Sequence, residues 1–492
     1  MAATDPLAAL RAACLAAQRD FARAALDLAA GESRSAEVLR HYAGVCSPQT
    51  LAVLEEAMHT ASSERQRELR CLRAWVLETG LRAALLPHQE ALREQQRALY
   101  CEVDEEPLSL PAAFAAMAGE SRRERRAAIE AALVERLDTL AAPVAEAFAA
   151  LQGYARQHGF ATPAALWAAI LPVDPAALPD VLSQTLKDTE DVYLDLLAWA
   201  VRRRLGVPLG QLRRHDVLAL FSFAEYHHYY QPGSVLPALQ ASLRAMGIDP
   251  AAAGRLHWQF QREQPGPALA AAPAVPQEVV LVCGQAGGVK GAERAAAACG
   301  RALLWAYTSE EVPELLRVLG DAAVVEGSAV WLANTVAHPG WLRAYLGVRV
   351  DGSYEAWRQL DTLYRLRREI ARLLFAHHLA TQDTLQEAAD IYRDLLMEAC
   401  RVAYAGAYYV LDWDWAYTTL TALRARILAR ALETALRQQC GDDWYRNPDS
   451  GALLREFWGK ALAESAETLS QDLTGTAWDA LTLARSLLAE GR

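Results

Sequence analysis

The stretch AAAACGRALLW, residues 295–305, is apolar and helix-forming, yet it contains one charged residue, Arg301. A second apolar stretch, AAVVEGSAVWL at residues 322–332, also contains a single charge, Glu326. A charge buried in either stretch without an opposite charge or hydrogen bonds would be costly. We therefore expect two neighbouring buried helices in which Arg301 and Glu326 form an ion pair. The alternative is that Arg301 extends to solvent and Glu326 is protonated or bonded to the backbone.

The rest of the chain is dominated by apolar residues at helical spacing, and one segment has the composition of a strand. This segment is Glu278–Cys283, rich in β-branched residues and bounded by Pro276 and by a pair of glycines. Thr308 followed by Glu311 predicts a capping box, with a helix that ends near Gly320. We expect a mainly α protein with a helical region at 1–185 and a second one, holding a small sheet, at 186–492.

Composition and charge exclude several classes of protein. Of the 492 residues, 53% are hydrophobic and 22% are charged, as in folded globular proteins. The net charge of −11 argues against a nucleic-acid partner, and the basic run at 122–126 is expected to be a solvated helix face. Eight cysteines occur singly, which predicts reduced, mostly buried thiols. Without an 18-residue apolar run or a signal-peptide core, we expect no membrane partner and a cytoplasmic location.

The order of features from Gly287 to Trp341 resembles the thimet oligopeptidase and oligoendopeptidase F family of zinc metallopeptidases. Members of that family run from a strand through a Gly-Gly turn into a helix carrying His-Glu-x-Gly-His-Ala-Leu, and a Glu on a later helix is the third zinc ligand. Here AACGRAL, residues 297–303, takes the place of that motif, and Glu326 falls where the third ligand belongs. The similarity covers roughly residues 190–490 and includes Arg262, PQEVVL at 276–281, YAGAYY at 404–409, LRA at 423–425 and FWGK at 457–460.

The departures from the family motif concern its chemistry. Aligned with it, Ala297 replaces the first His, Ala298 the general-base Glu and Arg301 the second His. A catalytic zinc needs imidazoles one helical turn apart, and a guanidinium beside a lone carboxylate would repel the ion. The resemblance therefore implies a vestigial motif with no metal, no cofactor and no catalytic residue.

The family also uses tyrosines in its C-terminal part to stabilise the oxyanion. The tyrosine expected just before LRA is Ala422 in this chain, while Tyr417 lies nearby in the sequence. This second departure also puts transition-state stabilisation in doubt. Tyr417 and Trp305 are retained as candidate cleft residues.

Two other clusters invite functional interpretations. Tyr226, His227 and His228 belong to a YHHYY run, and His377-His378 form a second pair, but adjacent histidines on a helix point to different faces and do not make a ready chelate. We expect core or cleft-lining roles, with His227 or His228 lining a peptide groove. The glycine-rich turn GQAGGVKG at 284–291 lacks the Gly-Lys-Ser/Thr ending of a phosphate-binding loop, so nucleotide binding is not expected.

The prediction is a large helical metallopeptidase-like fold with a deep cleft and a small sheet near the vestigial site. Its expected function is that of a catalytically inactive pseudopeptidase that binds a peptide or protein partner. The alternatives are an active oligopeptidase-type metallopeptidase with relocated ligands, or another hydrolase that uses the same cleft. The sequence does not give the oligomeric state.

Overall fold

The computed structural model describes residues 5–29, 33–260, 268–284 and 287–489. Arg262, residues 264–267, and Gln285 and Ala286 of the glycine-rich turn lie outside these ranges. Helices account for most of the described chain, as the apolar spacing predicts. In chain order, the α-helices are α1 (Pro6–Ala29), α2 (Ser35–Ala43), α3 (Pro48–Thr60), α4 (Ser63–Ala98), α5 (Leu110–Gly119), α6 (Arg123–Leu137), α7 (Ala141–Gln157), α8 (Pro163–Ile170), α9 (Pro179–Asp188), α10 (Glu190–Leu205), α11 (Arg214–Leu220), α12 (Val235–Ala245), α13 (Gly288–Tyr307), α14 (Glu314–Leu319), α15 (Ala322–Val336), α16 (Pro339–Trp341), α17 (Gly352–Thr381), α18 (Ala388–Cys400), α19 (Tyr409–Asp412), α20 (Thr418–Cys440), α21 (Pro448–Lys460), α22 (Ala466–Thr474) and α23 (Ala480–Ala489).

The strands form a hairpin and a three-stranded sheet. They are β1 (Tyr100–Val103), β2 (Glu106–Ser109), β3 (Leu256–Phe260), β4 (Leu269–Ala274) and β5 (Glu278–Cys283). In the three-stranded sheet β5 is central, parallel to β3 and antiparallel to β4. The predicted strand Glu278–Cys283 is therefore confirmed as β5, and its residues from Val279 onward are buried. The other four strands are not predicted by the sequence pattern.

The chain divides into two compact units, each built from three segments. Unit 1 contains Met1–Ala83, Ala224–Asp351 and Thr421–Asp479, and unit 2 contains Ala84–Phe223, Gly352–Leu420 and Ala480–Arg492. Within unit 1, α1 packs against β4, and α13 packs against both β4 and β5. The small sheet thus lies beside α13, the helix that carries residues 297–303. The division at residue 185 and the deep cleft stay predictions.

The helix after α13 begins later than the capping box predicts. Thr308 is the C-cap of α13, and its hydroxyl donates a hydrogen bond to the Leu304 carbonyl oxygen. Because the following residues form a turn, α14 begins only after Pro313, so the predicted start is wrong. Its end before Gly320 agrees with the prediction.

The basic run at the start of α6 is not entirely a solvated face. The Arg126 side chain is only 3% exposed, and its Nη2 atom lies 2.9 Å from Oδ1 of the fully buried Asp216. Arg123 also donates hydrogen bonds to Asp216. The charge pattern did not indicate this pairing because Asp216 is far along the chain, on α11.

The cysteines are expected to be reduced and mostly buried, and the structure agrees. All eight cysteines are free thiols, and five of them are buried. Across the described ranges, every helix is too short or too polar to cross a bilayer.

Candidate functional site

The crossing of α13 and α15 in unit 1 positions residues 297–303 and Glu326. A Cβ atom added to Gly300 would lie 2.4 Å from the Ser328 carbonyl oxygen, so glycine permits the two helix backbones to touch. Ser328 Oγ donates to the Gly300 carbonyl oxygen over 3.0 Å and accepts a 3.0 Å hydrogen bond from Trp458 Nε1. These contacts hold the helices at a short, defined separation. Sequence reasoning gave Ser328 no role and included Trp458 only in the FWGK segment of the resemblance, although a glycine inside an apolar helix is a signal of close approach.

Arg301 and Glu326 form a bidentate ion pair across this crossing. Arg301 Nε donates to Glu326 Oε1 over 2.8 Å, and Arg301 Nη2 donates to Oε2 over 2.6 Å. Charge-assisted hydrogen bonds in this fork geometry are among the strongest in proteins. The predicted pairing of these two residues is confirmed.

The same pair is more exposed than its apolar surroundings suggest. The Arg301 side chain is 30% exposed and that of Glu326 is 37% exposed. Ala297, Arg301 and Trp305 follow one another at helical spacing on a half-exposed stripe of α13. The expectation that both charges are buried is therefore wrong, because an apolar run does not show which face of its helix is left uncovered.

The residues that the resemblance aligns with the zinc ligands do not suit zinc. Ala297 and Ala298 have no donor atoms, and Ala298 is fully buried. Both carboxylate oxygens of Glu326 already accept hydrogen bonds from a permanently charged guanidinium. Throughout the described part of the chain, no group of three or more His, Cys, Asp or Glu residues is arranged to hold a metal ion.

A charge network centred on the buried Arg424 anchors the start of α15. Asp321 accepts a hydrogen bond from the Ala323 backbone N–H as the N-cap of this helix. Arg424, which is only 5% exposed, donates to Asp321 Oδ1 over 2.9 Å and to Glu467 Oε1 over 2.7 Å. Arg424 belongs to the LRA segment that carries part of the resemblance, and its contacts show a structural role in positioning the helix that bears Glu326.

The YHHYY run lies at the amino end of α13. It forms a 3₁₀-helix at Ala224–Tyr229, and the Gly288 N–H donates a 2.9 Å hydrogen bond to the Tyr230 carbonyl oxygen. The His227 ring packs so closely that a Cβ atom on Gly288 would lie 3.2 Å from it. Tyr226 is buried, and burial together with the nearby Glu225 raises its pKa. His227 and His228 are exposed, and their groove-lining role stays a prediction.

Tyr417 belongs to unit 2 and is almost fully buried. Its hydroxyl oxygen lies 3.2 Å from His377 Nδ1, and its ring centroid lies 5.9 Å from that of Trp167. Burial raises the pKa of the Tyr417 hydroxyl. These contacts describe a packed phenol, and its assignment as a cleft residue stays a prediction.

Three solved structures show the same fold. A protein from Chlamydophila abortus that is provisionally assigned as a peptidase has a TM-score of 0.65 and 13% identity, over 98% of this chain and 89% of its own. PZ peptidase A, solved with an inhibitor, has a TM-score of 0.63 and 12% identity, over 92% of this chain and 85% of its own. Metallocarboxypeptidase 1 from Trypanosoma cruzi has a TM-score of 0.56 and 13% identity, over 99% of both chains.

The predicted fold class, mainly helical with small sheets and of the metallopeptidase type, is confirmed by these likenesses. No family model matches the sequence, and no curated protein matches it. Structural similarity at such low sequence identity establishes the fold and does not establish the activity.

Proposed function

We propose that this protein is a catalytically inactive relative of the thimet oligopeptidase and oligoendopeptidase F family that binds a peptide or protein segment. The observation that carries the proposal is the Arg301–Glu326 ion pair. When the chain is aligned with that family, Arg301 takes the position of the second His and Glu326 that of the third zinc ligand. A guanidinium at that point supplies the positive charge that the carboxylate needs, from the protein alone.

The retained helix crossing supports binding over loss of all function. The Gly300–Ser328 contact and the Asp321–Arg424 network hold α13 and α15 together, although by the resemblance two alanines and an arginine stand in place of the catalytic groups. Peptide hydrolysis requires an activated water and charge stabilisation in the transition state, whereas binding requires only shape and hydrogen-bonding groups. If only the groups needed for hydrolysis have been replaced, the shape and the hydrogen-bonding groups needed for binding are intact.

Metal analysis combined with a cleavage and a binding assay tests the proposal. The protein, purified without chelators, is expected to contain far less than one zinc ion per chain and to leave a quenched fluorescent peptide uncut. Fluorescence anisotropy with labelled, terminally blocked peptides is expected to show saturable binding. Stoichiometric zinc together with cleavage that a Glu326→Ala variant abolishes would establish an active metallopeptidase and refute the proposal.

A further inference from the structure

The Arg301 guanidinium offers hydrogen-bond donors that the protein itself does not use. Glu326 accepts from Nε and from one hydrogen of Nη2. The planar guanidinium has further N–H groups on its Nη1 side, and within the described ranges Arg301 makes no other hydrogen bond. Among the described residues, no Arg301 nitrogen is both buried and without a hydrogen-bond partner, and 30% of the side chain is exposed, so these donors are open to a ligand.

The orientation of this donor edge is fixed before any ligand arrives. The two hydrogen bonds to Glu326 restrict the guanidinium to one plane, and the backbone contact at Gly300 and Ser328 fixes the helices that carry both side chains. A donor held in this way loses little conformational entropy when it binds an acceptor. A free surface arginine would lack this advantage.

The charge of the pair selects the kind of acceptor. Glu326 neutralises Arg301, so a ligand carboxylate would gain little net attraction and would also meet the negative charge of Glu326. A neutral carbonyl oxygen accepts a directional hydrogen bond without that repulsion. Trp305, one turn further along the same half-exposed stripe, adds an apolar surface beside the donor.

From these observations we infer that Arg301 Nη1 binds a backbone carbonyl oxygen of the peptide ligand. The protein thereby recognises a neutral internal peptide bond, and a charged peptide terminus is not its target. The inference rests on the proposed peptide-binding function and adds the residue, the atom and the chemical group that is recognised.

A backbone-substitution scan provides the test. A tight-binding sequence is first selected from a randomised pool of peptides with acetylated amino and amidated carboxyl ends. Each peptide bond is then replaced in turn by a trans-alkene, which removes the carbonyl oxygen and the N–H, or by an ester, which removes only the N–H. For the wild-type protein, the alkene at one position is expected to weaken binding about tenfold or more, and the ester at that position much less.

Protein variants then link that position to Arg301. The double variant Arg301→Met/Glu326→Leu removes both charges without leaving one unpaired. It is expected to bind the parent peptide about tenfold more weakly and to lose no further affinity when the critical carbonyl is removed. Arg294→Met changes an exposed arginine two turns earlier on α13 and is the matched control, with unchanged affinity.

The outcomes separate the inference from the proposed function. If the alkene at every position weakens wild type and double variant by the same factor, Arg301 binds no carbonyl and the inference is overturned, while peptide binding stands. If the wild-type protein binds no peptide of the pool, the proposed function fails and takes the inference with it. In Glu326→Gln, the unneutralised Arg301 is expected to favour peptides with a free terminal carboxylate over their amides, and an unchanged preference would contradict the charge argument.

Discussion

At the scale of single residues, two arginine–carboxylate pairs in this chain differ in exposure. Arg301 and Glu326 are about one-third exposed, whereas Arg126 and Asp216 are essentially excluded from water. Loss of one partner in an exposed pair leaves a hydrated charge, and loss of one partner in a buried pair leaves a charge without solvent. Arg301 should therefore contribute less to the free energy of unfolding than Arg126 does.

We expect Arg301→Met to lower the free energy of unfolding by about 1 kcal/mol. Arg126→Met should lower it by about 2–3 kcal/mol, because Asp216 keeps its hydrogen bonds from Arg123. Urea denaturation followed by circular dichroism measures both values against the wild type. Equal costs would show that the Arg301 pair is as well shielded from water as the buried one.

The Asp216 carboxylate predicts an acid-dependent loss of stability. Burial opposes its ionisation, but hydrogen bonds from Arg123 and Arg126 hold its pKa below the ordinary aspartate value of 3.8. A depressed folded-state pKa contributes stability above pH 3.8, which is lost as the pH falls through the folded-state value. The stability difference between wild type and Asp216→Asn should be constant from about pH 7 to about pH 5 and shrink below pH 3.8, as urea midpoints across this range would show. A difference that widens on acidification would contradict the assignment.

The positions of Ala297 and Arg301 also predict how a metal site could be built in this protein. Ala297 and Arg301 lie one turn apart on the same half-exposed stripe, and residue 301 already faces Glu326. The Ala297→His/Arg301→His variant should therefore bind one zinc ion per chain with Glu326 as its third ligand. Titration calorimetry should show binding that a further Glu326→Ala change abolishes. Zinc binding that persists in that triple variant would mean that Glu326 is not at the ligand position.

At the scale of elements, the sequence predicted the features that rest on local composition. The Val-rich segment of β5 and the helical runs of α13 and α15 were identified because their apolar residues follow a clear period. Strand β4 has the sequence LAAAPA, and its local composition does not predict a strand because alanine has no strand preference. The strand conformation of β4 depends on its pairing with β5, which lies outside the segment itself.

The candidate site was predictable in part for the same reason. Two lone charges in apolar helices predicted the Arg301–Glu326 pair, since each needs a partner. Their exposure was not predictable, because helical spacing shows which residues share a face and not what covers it. The N-cap network of Asp321 with Arg424 joins residues far apart in the chain, which no local pattern reveals.

The helix crossing gives a matched pair of glycine substitutions. Gly300→Ala would place a methyl group 2.4 Å from a backbone oxygen, so we expect α13 and α15 to separate at a cost of about 3 kcal/mol or more. Gly153→Ala, in α7, meets nothing within 4 Å and should stabilise the protein by about 0.5–1 kcal/mol through its higher helix propensity. Urea midpoints of both variants give the comparison. A neutral Gly300→Ala would show that the backbones need not touch.

At the scale of the whole molecule, the order of segments along the chain determines which fragments can fold. Unit 1 joins residues from three separated stretches, and its strand β4 is covered by α1 from the first of them. A fragment of residues 186–492 would retain β4 and lose α1. An apolar sheet face would then be left open to water.

We therefore expect the 186–492 fragment to bind a hydrophobic dye and to unfold without a sharp transition, unlike the full chain under the same conditions. Dye fluorescence and thermal circular dichroism provide the measurements. A cooperative transition with low dye binding would instead support the sequence-based boundary at residue 185.

The threading of unit 1 through distant segments has a consequence for biosynthesis. A ribosome releases α1 early, but β4 and α14, against which α1 packs, emerge only after the whole first segment of unit 2, Ala84–Phe223, has been translated. Until then, the apolar faces of the first helices stay exposed to solvent. Nascent chains of this protein should therefore depend on chaperone protection until β4 and α14 have emerged.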